Sequence, residues 1–165
     1  MKVRFTISKD GVLEKAELTD ENGADVTHGV RGATDEDFDP SLLTDVIIPD
    51  RVSAIGDSAF AGCDWLESVT IPAGVTYIGD KAFFDCYSLT EIEIPNGVTR
   101  IGNDAFAECN QLESVTVPDS VTSIGDRAFA WCDSLKSINI PESVISIGDK
   151  VFYGCGQDVD SKYGF

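Results

Sequence analysis

Five cysteines are the residues of this chain whose type and spacing most readily suggest chemistry. They recur at a constant interval of 23 residues, at Cys63, Cys86, Cys109, Cys132 and Cys155. If the copies stack, neighbouring cysteines lie about 5 Å apart, a distance that permits disulfide bonds. Parallel side chains and an odd number of thiols argue against disulfides, so we expect reduced cysteines that fill a core as small apolar residues.

Metal and cofactor sites have weaker support in the sequence. There is no C-x-x-C pair, and the single histidine, His28, lies outside the cysteine-bearing region. Asp35, Asp37 and Asp39 alternate like the start of a calcium loop. However, Pro40 stands where that loop needs a glycine. We therefore expect no metal and no cofactor, and a solvated acidic loop rather than a looser calcium site.

Catalytic arrangements are also poorly supported. The nucleophile-elbow, phosphate-loop and dinucleotide-binding glycine motifs are all absent from the sequence. Glu91 and Glu93 share one face of a predicted strand, so acid–base chemistry on a glycan is an alternative. Solvated surface carboxylates are far more common than catalytic pairs. We expect a protein that is not an enzyme.

These residues are positioned by a repeat of 23 residues. Five copies follow one another from Leu43 to Gln157 without insertion or deletion. Self-similarity at one fixed period indicates a solenoid, in which each unit buries its apolar face by stacking on its neighbours. Seven positions within the copy never vary: Leu at position 1, Pro at 7, Val at 10, Ile at 13, Gly at 14, Phe at 18 and Cys at 21.

Each copy predicts two short extended segments joined by turns. Positions 1, 4 and 6 are apolar while 3 and 5 are mostly polar, which is typical of a strand with one buried face, and the proline ends that strand. Val and Ile belong to a second extended segment, and the following glycine suits either a positive φ or a close backbone approach. The Asp or Asn at position 15 predicts the cap of a single helical turn that carries the core Phe.

The segments outside the repeats predict caps. Residues 1–42 combine an alternating apolar pattern with a turn at Gly11 and a loop rich in acidic residues. We expect a small β-hairpin that covers the apolar end of the first copy, followed by the acidic loop. Residues 43–157 form the repeat domain, and residues 158–165 form a C-terminal tail.

The copies share the pattern L-x-x-V-x-I-P-x-x-V-x-x-I-G-x-x-A-F-x-x-C-x-x, which resembles the BspA-like class of leucine-rich repeats. This resemblance implies an α/β solenoid, a right-handed superhelix with a parallel concave sheet and either short helical turns or second short strands on the other side. It also implies a non-enzymatic protein-interaction or adhesion module of the kind found among bacterial surface and secreted proteins.

Function is expected where the copies differ, because the invariant positions are needed for the fold. Positions 3 and 5 form the outward face of the predicted sheet, and a pre-ordered face loses little entropy when it binds a partner. Strand propensity would equally explain the Ser and Thr residues there. The candidate partner-binding residues are Ser68, Thr70, Glu91, Glu93, Ser114, Thr116, Ser137 and Asn139.

A secondary aromatic patch is a further candidate surface. Its members depart from the repeat pattern and are of residue types that anchor interfaces. Packing between copies on the convex side is the alternative role for these rings. The patch consists of Tyr77, Phe84, Tyr87, Trp131 and Tyr153.

The chain is strongly acidic, with 29 Asp and Glu against 12 Lys and Arg and a formal net charge of -17. Such a field repels phosphate backbones and anionic lipids, which argues against direct binding of nucleic acid or a membrane surface. It favours a basic protein partner. An alternative function is therefore an intracellular acidic inhibitor or decoy that binds a basic, nucleic-acid-binding protein.

Location is predicted from the same composition. No apolar run is long enough to span a bilayer, and residues 1–11 alternate polar with apolar, unlike a signal peptide. Together with five cysteines expected to be reduced, this favours the cytoplasm for the sequence as written. The family resemblance implies instead a cell surface or secreted protein if the N-terminus is truncated.

Overall fold

The repeats build a coil with two parallel sheets. The computed structural model of the protein describes residues 2–19 and 45–156. Each copy contributes one strand to a five-stranded sheet and one to a seven-stranded sheet. The protein is therefore a solenoid of parallel β-sheets, which confirms the predicted fold class and, of the two expected forms, the one with second short strands.

The described chain begins with a hairpin that starts the seven-stranded sheet. Strands β1 (Lys2–Ile7) and β2 (Val12–Thr19) pair antiparallel around a turn in which Gly11 has φ 81°. Strand β2 then runs parallel to a repeat strand, with Leu13 opposite Ile55. Leu13 is fully buried, so the hairpin covers the core of the first copy.

One strand of each copy lies in the five-stranded sheet. Its strands are β3 (Asp45–Ile47), β5 (Ser68–Thr70), β7 (Glu91–Glu93), β9 (Ser114–Thr116) and β11 (Ser137–Asn139). In β5, β7, β9 and β11 the central residue is buried and the residues beside it face outward, because side chains alternate along a strand. Equivalent residues pair in register, so Glu91 lies between Ser68 and Ser114.

The second strand of each copy continues the sheet that the hairpin starts. These strands are β4 (Ala54–Ile55), β6 (Tyr77–Ile78), β8 (Arg100–Ile101), β10 (Ser123–Ile124) and β12 (Ser146–Ile147). They follow β2 in the order of the copies. The invariant Ile at position 13 is buried in the first four copies and forms one wall of the core.

The third side of each copy is a series of turns, and the predicted helical turn is wrong. No helix occurs in residues 2–19 or 45–156, so these ranges contain none that could cross a membrane. Positions 16 and 20 of every copy have φ between 52° and 74°, the left-handed region that a right-handed helix does not contain. Alternate backbone N–H groups of the turns therefore donate to carbonyl groups of the next copy. For example, the N–H of Phe60 donates to Ala82 O at an N–O distance of 2.7 Å.

The Asp or Asn at position 15 joins neighbouring copies instead of capping a helix. Asp80 Oδ1 accepts a hydrogen bond of 2.8 Å from the backbone N–H of Asn103, and Asn103 Oδ1 accepts one of 2.9 Å from that of Asp126. The same bond links Asp57 to Asp80 and Asp126 to Asp149. The cap prediction was wrong because the donor that this side chain meets belongs to the next copy.

The invariant glycine at position 14 is required by a close approach between copies. None of the five glycines has a φ in the left-handed region. A Cβ on Gly102 would lie 2.5 Å from the carbonyl carbon of Gly79 and 2.5 Å from Asp80 Oδ1. Gly102 N donates to Ile78 O at 2.9 Å, and this bond holds the two backbones together. Close approach, and not positive φ, is therefore the reason for glycine.

The core is a stack of identical side chains. The five invariant Phe rings are at most 1% exposed. Neighbouring rings stack with centroids 4.9, 5.2, 5.2 and 5.9 Å apart along the coil. The rings belong to Phe60, Phe83, Phe106, Phe129 and Phe152. Since each ring is covered by its neighbours, the core exists only between copies.

Several predicted features lie outside the described residues. These are His28, the acidic stretch with Asp35, Asp37 and Asp39, and the tail 158–165. The domain boundaries predicted after residue 42 and after residue 157 lie there as well.

We expect Gly102→Ala to lower the free energy of unfolding by about 1–3 kcal/mol, because the added methyl group must displace backbone atoms. Gly74→Ala is the matched control, since its Cβ would lie 3.7 Å from the nearest atom, Val52 O. That variant should change stability by less than about 1 kcal/mol. Urea denaturation followed by circular dichroism measures both, and equal losses would contradict the close-approach explanation.

We expect Asp80→Ala to cost about 1–3 kcal/mol, because the N–H of Asn103 loses its acceptor. Asp80→Asn keeps an oxygen at the same place, as Asn103 does in the next copy, and should cost much less. The comparison uses thermal and urea unfolding of the two variants. A similar loss for both would show that charge, and not the hydrogen bond, matters at this position.

Candidate functional site

The eight candidate partner-binding residues lie on the outward face of the five-stranded sheet. Seven of them are exposed and Ser68 is half-buried. They form two parallel rows across the strands because the strands pair in register. The position-3 row contains Ser68, Glu91, Ser114 and Ser137, and the position-5 row contains Thr70, Glu93, Thr116 and Asn139.

A groove of about 1020 Å³ lies over strands β5, β7 and β9. Six of the eight candidates line its floor, and Ser137 and Asn139 lie beyond it on β11. The turns that follow the strands form a wall. The wall residues are Ala73, Pro95, Asn96, Gly97 and Pro118.

Two parts of this surface are absent from the predicted site. The wall is one of them. Its residues lie in the turns that follow β5, β7 and β9, at positions 7 to 9 of each copy, so they are close to the predicted residues in sequence. Ile47 is the other: it is 73% exposed at position 5 of β3, beside Thr70. It is the single apolar residue among the position-5 residues of the five copies. That departure from the column is the signal that identifies it.

The groove is negatively charged. Glu91 and Glu93 line it, and among the residues that the structure describes no Lys or Arg does. Lys136, at position 2 of the last copy, is bound to Glu113 with an Nζ–Oε2 distance of 2.7 Å. The other Lys and Arg of the described repeats lie in the turns or in the seven-stranded sheet: Arg51, Lys81, Arg100, Arg127 and Lys150.

One of those distant cations is already neutralised by its neighbour. Arg127 forms a two-point ion pair with Asp104, with Nε–Oδ1 at 2.8 Å and a second N–O contact at 3.0 Å. These hydrogen bonds and the charge of Asp104 raise the pKa of Arg127. The pair lies on the turn side, away from the groove, so the groove keeps its uncompensated carboxylates.

The five residues of the aromatic patch do not form one cluster. Trp131 and Tyr153 are in edge-to-face contact, with ring centroids 5.1 Å apart. Tyr77 lies in the seven-stranded sheet, on another side of the coil. Phe84 and Tyr87 belong to the second copy, and Lys81 Nζ lies 5.5 Å from the centre of the Phe84 ring. The predicted patch is thus not one continuous aromatic surface.

The five cysteines form no disulfide bond and are buried, in agreement with their predicted place in the core. The thiols of Cys86, Cys109, Cys132 and Cys155 each donate to a Phe carbonyl of the preceding copy, at Sγ–O distances of 3.1, 3.2, 3.2 and 2.9 Å. Burial raises the pKa of Cys109 to about 12. Burial also raises the pKa of Cys86, and side-chain hydrogen bonding with the Cys155 thiol together with burial raises that of Cys132. Thiols held protonated in this way are poor nucleophiles and poor metal ligands.

Metal-binding geometry is also lacking in the part of the chain that the structure describes. Across residues 2–19 and 45–156, no three His, Cys, Asp or Glu side chains are grouped so as to hold a metal ion. The geometry of this region therefore offers a binding surface and no assembled metal centre.

The repeat itself identifies the family. A sequence model of the BspA type leucine rich repeat region matches residues 34–157 with six copies. The chain belongs to the BspA-type leucine-rich repeat family. The match covers well over half of the chain. It begins upstream of Leu43, the residue at which the first of the five predicted copies starts. A search of curated proteins finds no match.

Solved structures of bacterial leucine-rich repeat proteins resemble this BspA-type chain. A T. pallidum leucine-rich repeat protein is 36% identical with a TM-score of 0.65, covering 70% of this chain and 55% of that one. One from Bacteroides capillosus is 28% identical with a TM-score of 0.60, covering 84% and 94%. A leucine-rich cell surface protein from Faecalibacterium prausnitzii is 26% identical with a TM-score of 0.57, covering 93% and 45%. The chain thus spans about half the length of the T. pallidum protein.

Leucine-rich repeat proteins are generally non-enzymatic and generally bind other proteins. What this chain binds must be derived from its own surface. The side chains that line the groove, and the charges they carry, are the features of that surface that differ from one copy to the next.

We expect stability to fall as the pH rises from about 9 towards 12. The pKa of Cys109 is raised from 9.0 to about 12 in the folded protein, so above pH 9 the unfolded chain loses a proton that the folded chain keeps. Each such thiol lowers the free energy of unfolding by up to about 1.4 kcal/mol per pH unit. Urea denaturation between pH 7 and pH 11 in the presence of a reductant, at about unit intervals, measures this slope.

The matched variant for this measurement is Cys109→Ala. It should be less stable than the wild type at neutral pH, because it loses core contacts and a hydrogen bond. Its stability should nevertheless fall less steeply above pH 9, since one raised thiol is gone. An unchanged slope would mean that other groups cause the alkaline loss.

Proposed function

We propose that this chain is a non-enzymatic protein-interaction or adhesion module that binds a protein partner on the outward face of the five-stranded sheet. The observation that carries the proposal is the groove over β5, β7 and β9, where the only charges that line it within residues 2–19 and 45–156 are the exposed carboxylates of Glu91 and Glu93. Hydroxyl groups flank both carboxylates in register. The arrangement suits recognition of a basic group on a partner.

The comparison between copies supports a functional role for the two glutamates. Strands β5 and β9 both read Ser-Val-Thr and take the same register as β7, so the fold accepts Ser and Thr at these positions. Like charges two residues apart on one strand face repel each other, which makes Glu91 and Glu93 unfavourable for stability alone. Their presence is therefore better explained by a cationic ligand.

The overall charge supports a basic partner surface. The chain has a formal net charge of -17. Electrostatic attraction to a positive protein would raise the association rate and make binding dependent on salt. Adhesion fits with the leucine-rich cell surface protein of F. prausnitzii, which shares this fold. No described contact favours the decoy or the glycan-active enzyme over this function.

The test is the double variant Glu91→Ser with Glu93→Thr, which gives β7 the outward residues of β5 and β9 and so should fold normally. Ligands would be selected from a displayed library of protein fragments on the wild type and then measured on both proteins. We expect at least about tenfold weaker binding by the variant. We also expect weaker binding by the wild type as salt is raised.

The control removes the same amount of charge from another side of the coil. Asp57→Asn with Asp126→Asn keeps the acceptor oxygens of the position-15 row, because Asn103 already serves there. This control should bind like the wild type. Ligands that bind the β7 double variant as tightly as the wild type would refute the proposed site.

A further inference from the structure

An exposed isoleucine beside the groove indicates which chemical groups a ligand of the groove presents. Ile47 occupies position 5 of β3, and its side chain is 73% exposed on the same face as the groove floor. The other four copies have Thr, Glu, Thr and Asn at this position, so the fold does not require an apolar residue there. A single exposed apolar side chain is common on protein surfaces, but Ile47 lies in register with Thr70 of the groove floor.

The register of the sheet sets the distance from Ile47 to the charged centre. Ile47 pairs with Thr70 on β5, and β5 pairs with β7, which carries Glu93. Ile47 and Glu93 are therefore two strands apart in the same row. At the usual spacing of parallel strands they are separated by about 9.6 Å. A ligand that uses both must present an apolar group and a cation at that separation.

This separation discriminates between two extended ligand conformations. In a β-strand, side chains on the same side are about 6.6 Å or about 13 Å apart, and neither distance matches. In a polyproline II helix, every third side chain lies on the same side, at about 9.3 Å. The row from Ile47 to Glu93 therefore matches a polyproline II segment that crosses the strands.

The floor and wall of the groove are compatible with such a segment. A polyproline II backbone makes no internal hydrogen bonds, so its carbonyl groups need donors. The hydroxyls of Thr70 and Thr116 stand in the same row on either side of Glu93 and supply them. Pro95, which is half-buried, gives the wall an apolar surface against which a proline ring can pack.

We infer that the groove binds a polyproline II segment of a partner protein, with an apolar residue over Ile47 and a Lys or Arg three residues away at Glu91 and Glu93. The inference rests on the proposed function, because it uses the same face. It adds the conformation of the ligand and the spacing of its two anchor residues. The basic residue of the ligand pairs with the two carboxylates, and the apolar residue of the ligand covers Ile47.

The experiment uses synthetic peptides of one composition and different spacing. One peptide carries Ile-Pro-Pro-Arg between proline flanks, a second carries the reversed order, and two controls place Ile and Arg adjacent or two residues apart. Fluorescence anisotropy at low ionic strength measures binding to the full chain. One of the first two peptides should bind about tenfold more tightly than either control.

Two protein variants assign the two anchors. Ile47→Thr introduces the residue that Thr70 and Thr116 already provide at this position, so it should fold normally, which circular dichroism checks. It should abolish the preference for the three-residue spacing while weak, salt-sensitive binding remains. Glu91→Ser with Glu93→Thr should abolish binding of every peptide.

The inference is overturned if all spacings bind equally, if Ile47→Thr keeps the preference, or if no peptide binds. In these cases the proposed function still holds as long as the binding of ligands from the fragment library depends on Glu91 and Glu93. If those ligands bind the β7 double variant as well as the wild type, the proposed function itself is refuted.

Discussion

Hydrogen bonds between the backbones of successive copies hold this protein together on three sides of the coil. Two sides are parallel sheets, and the third is the turn side, where alternate N–H groups such as that of Phe60 reach the next copy. Donors and acceptors must therefore match at all three sides at once. An insertion in one copy would break the register on every side, which explains why the 23-residue period is kept without exception from Leu43 to Gln157.

The same register builds the core and makes the cysteine thiols within it unreactive. Each invariant Phe stacks on the equivalent Phe of the next copy, and each cysteine thiol from Cys86 onward donates to a Phe carbonyl one copy earlier. These contacts remove the thiols from water and raise the pKa of Cys86 and Cys109. A residue type that is reactive on a surface is thus a structural filler here, because of where stacking places it.

Residues that stacking does not use are free to vary, and they give the sides of the coil different characters. The outward face of the five-stranded sheet has a groove with two carboxylates, whereas most basic residues of the described repeats lie elsewhere. This segregation is not a property of the repeat unit. It arises because single copies depart from the pattern, with glutamates in β7 and an exposed isoleucine in β3.

The sequence by itself determined the period, the two extended segments of each copy, the buried Phe and Cys, and the outward direction of positions 3 and 5. These follow from alternation and repetition, which are properties of the chain alone. Only the tertiary structure decided the role of the position-15 side chain, the turn that replaces the predicted helix, and the reason for glycine at position 14. It also joined the wall of the groove to the predicted surface. Each of these depends on a contact with a neighbouring copy, and a pattern read within one copy does not contain the position of its neighbour.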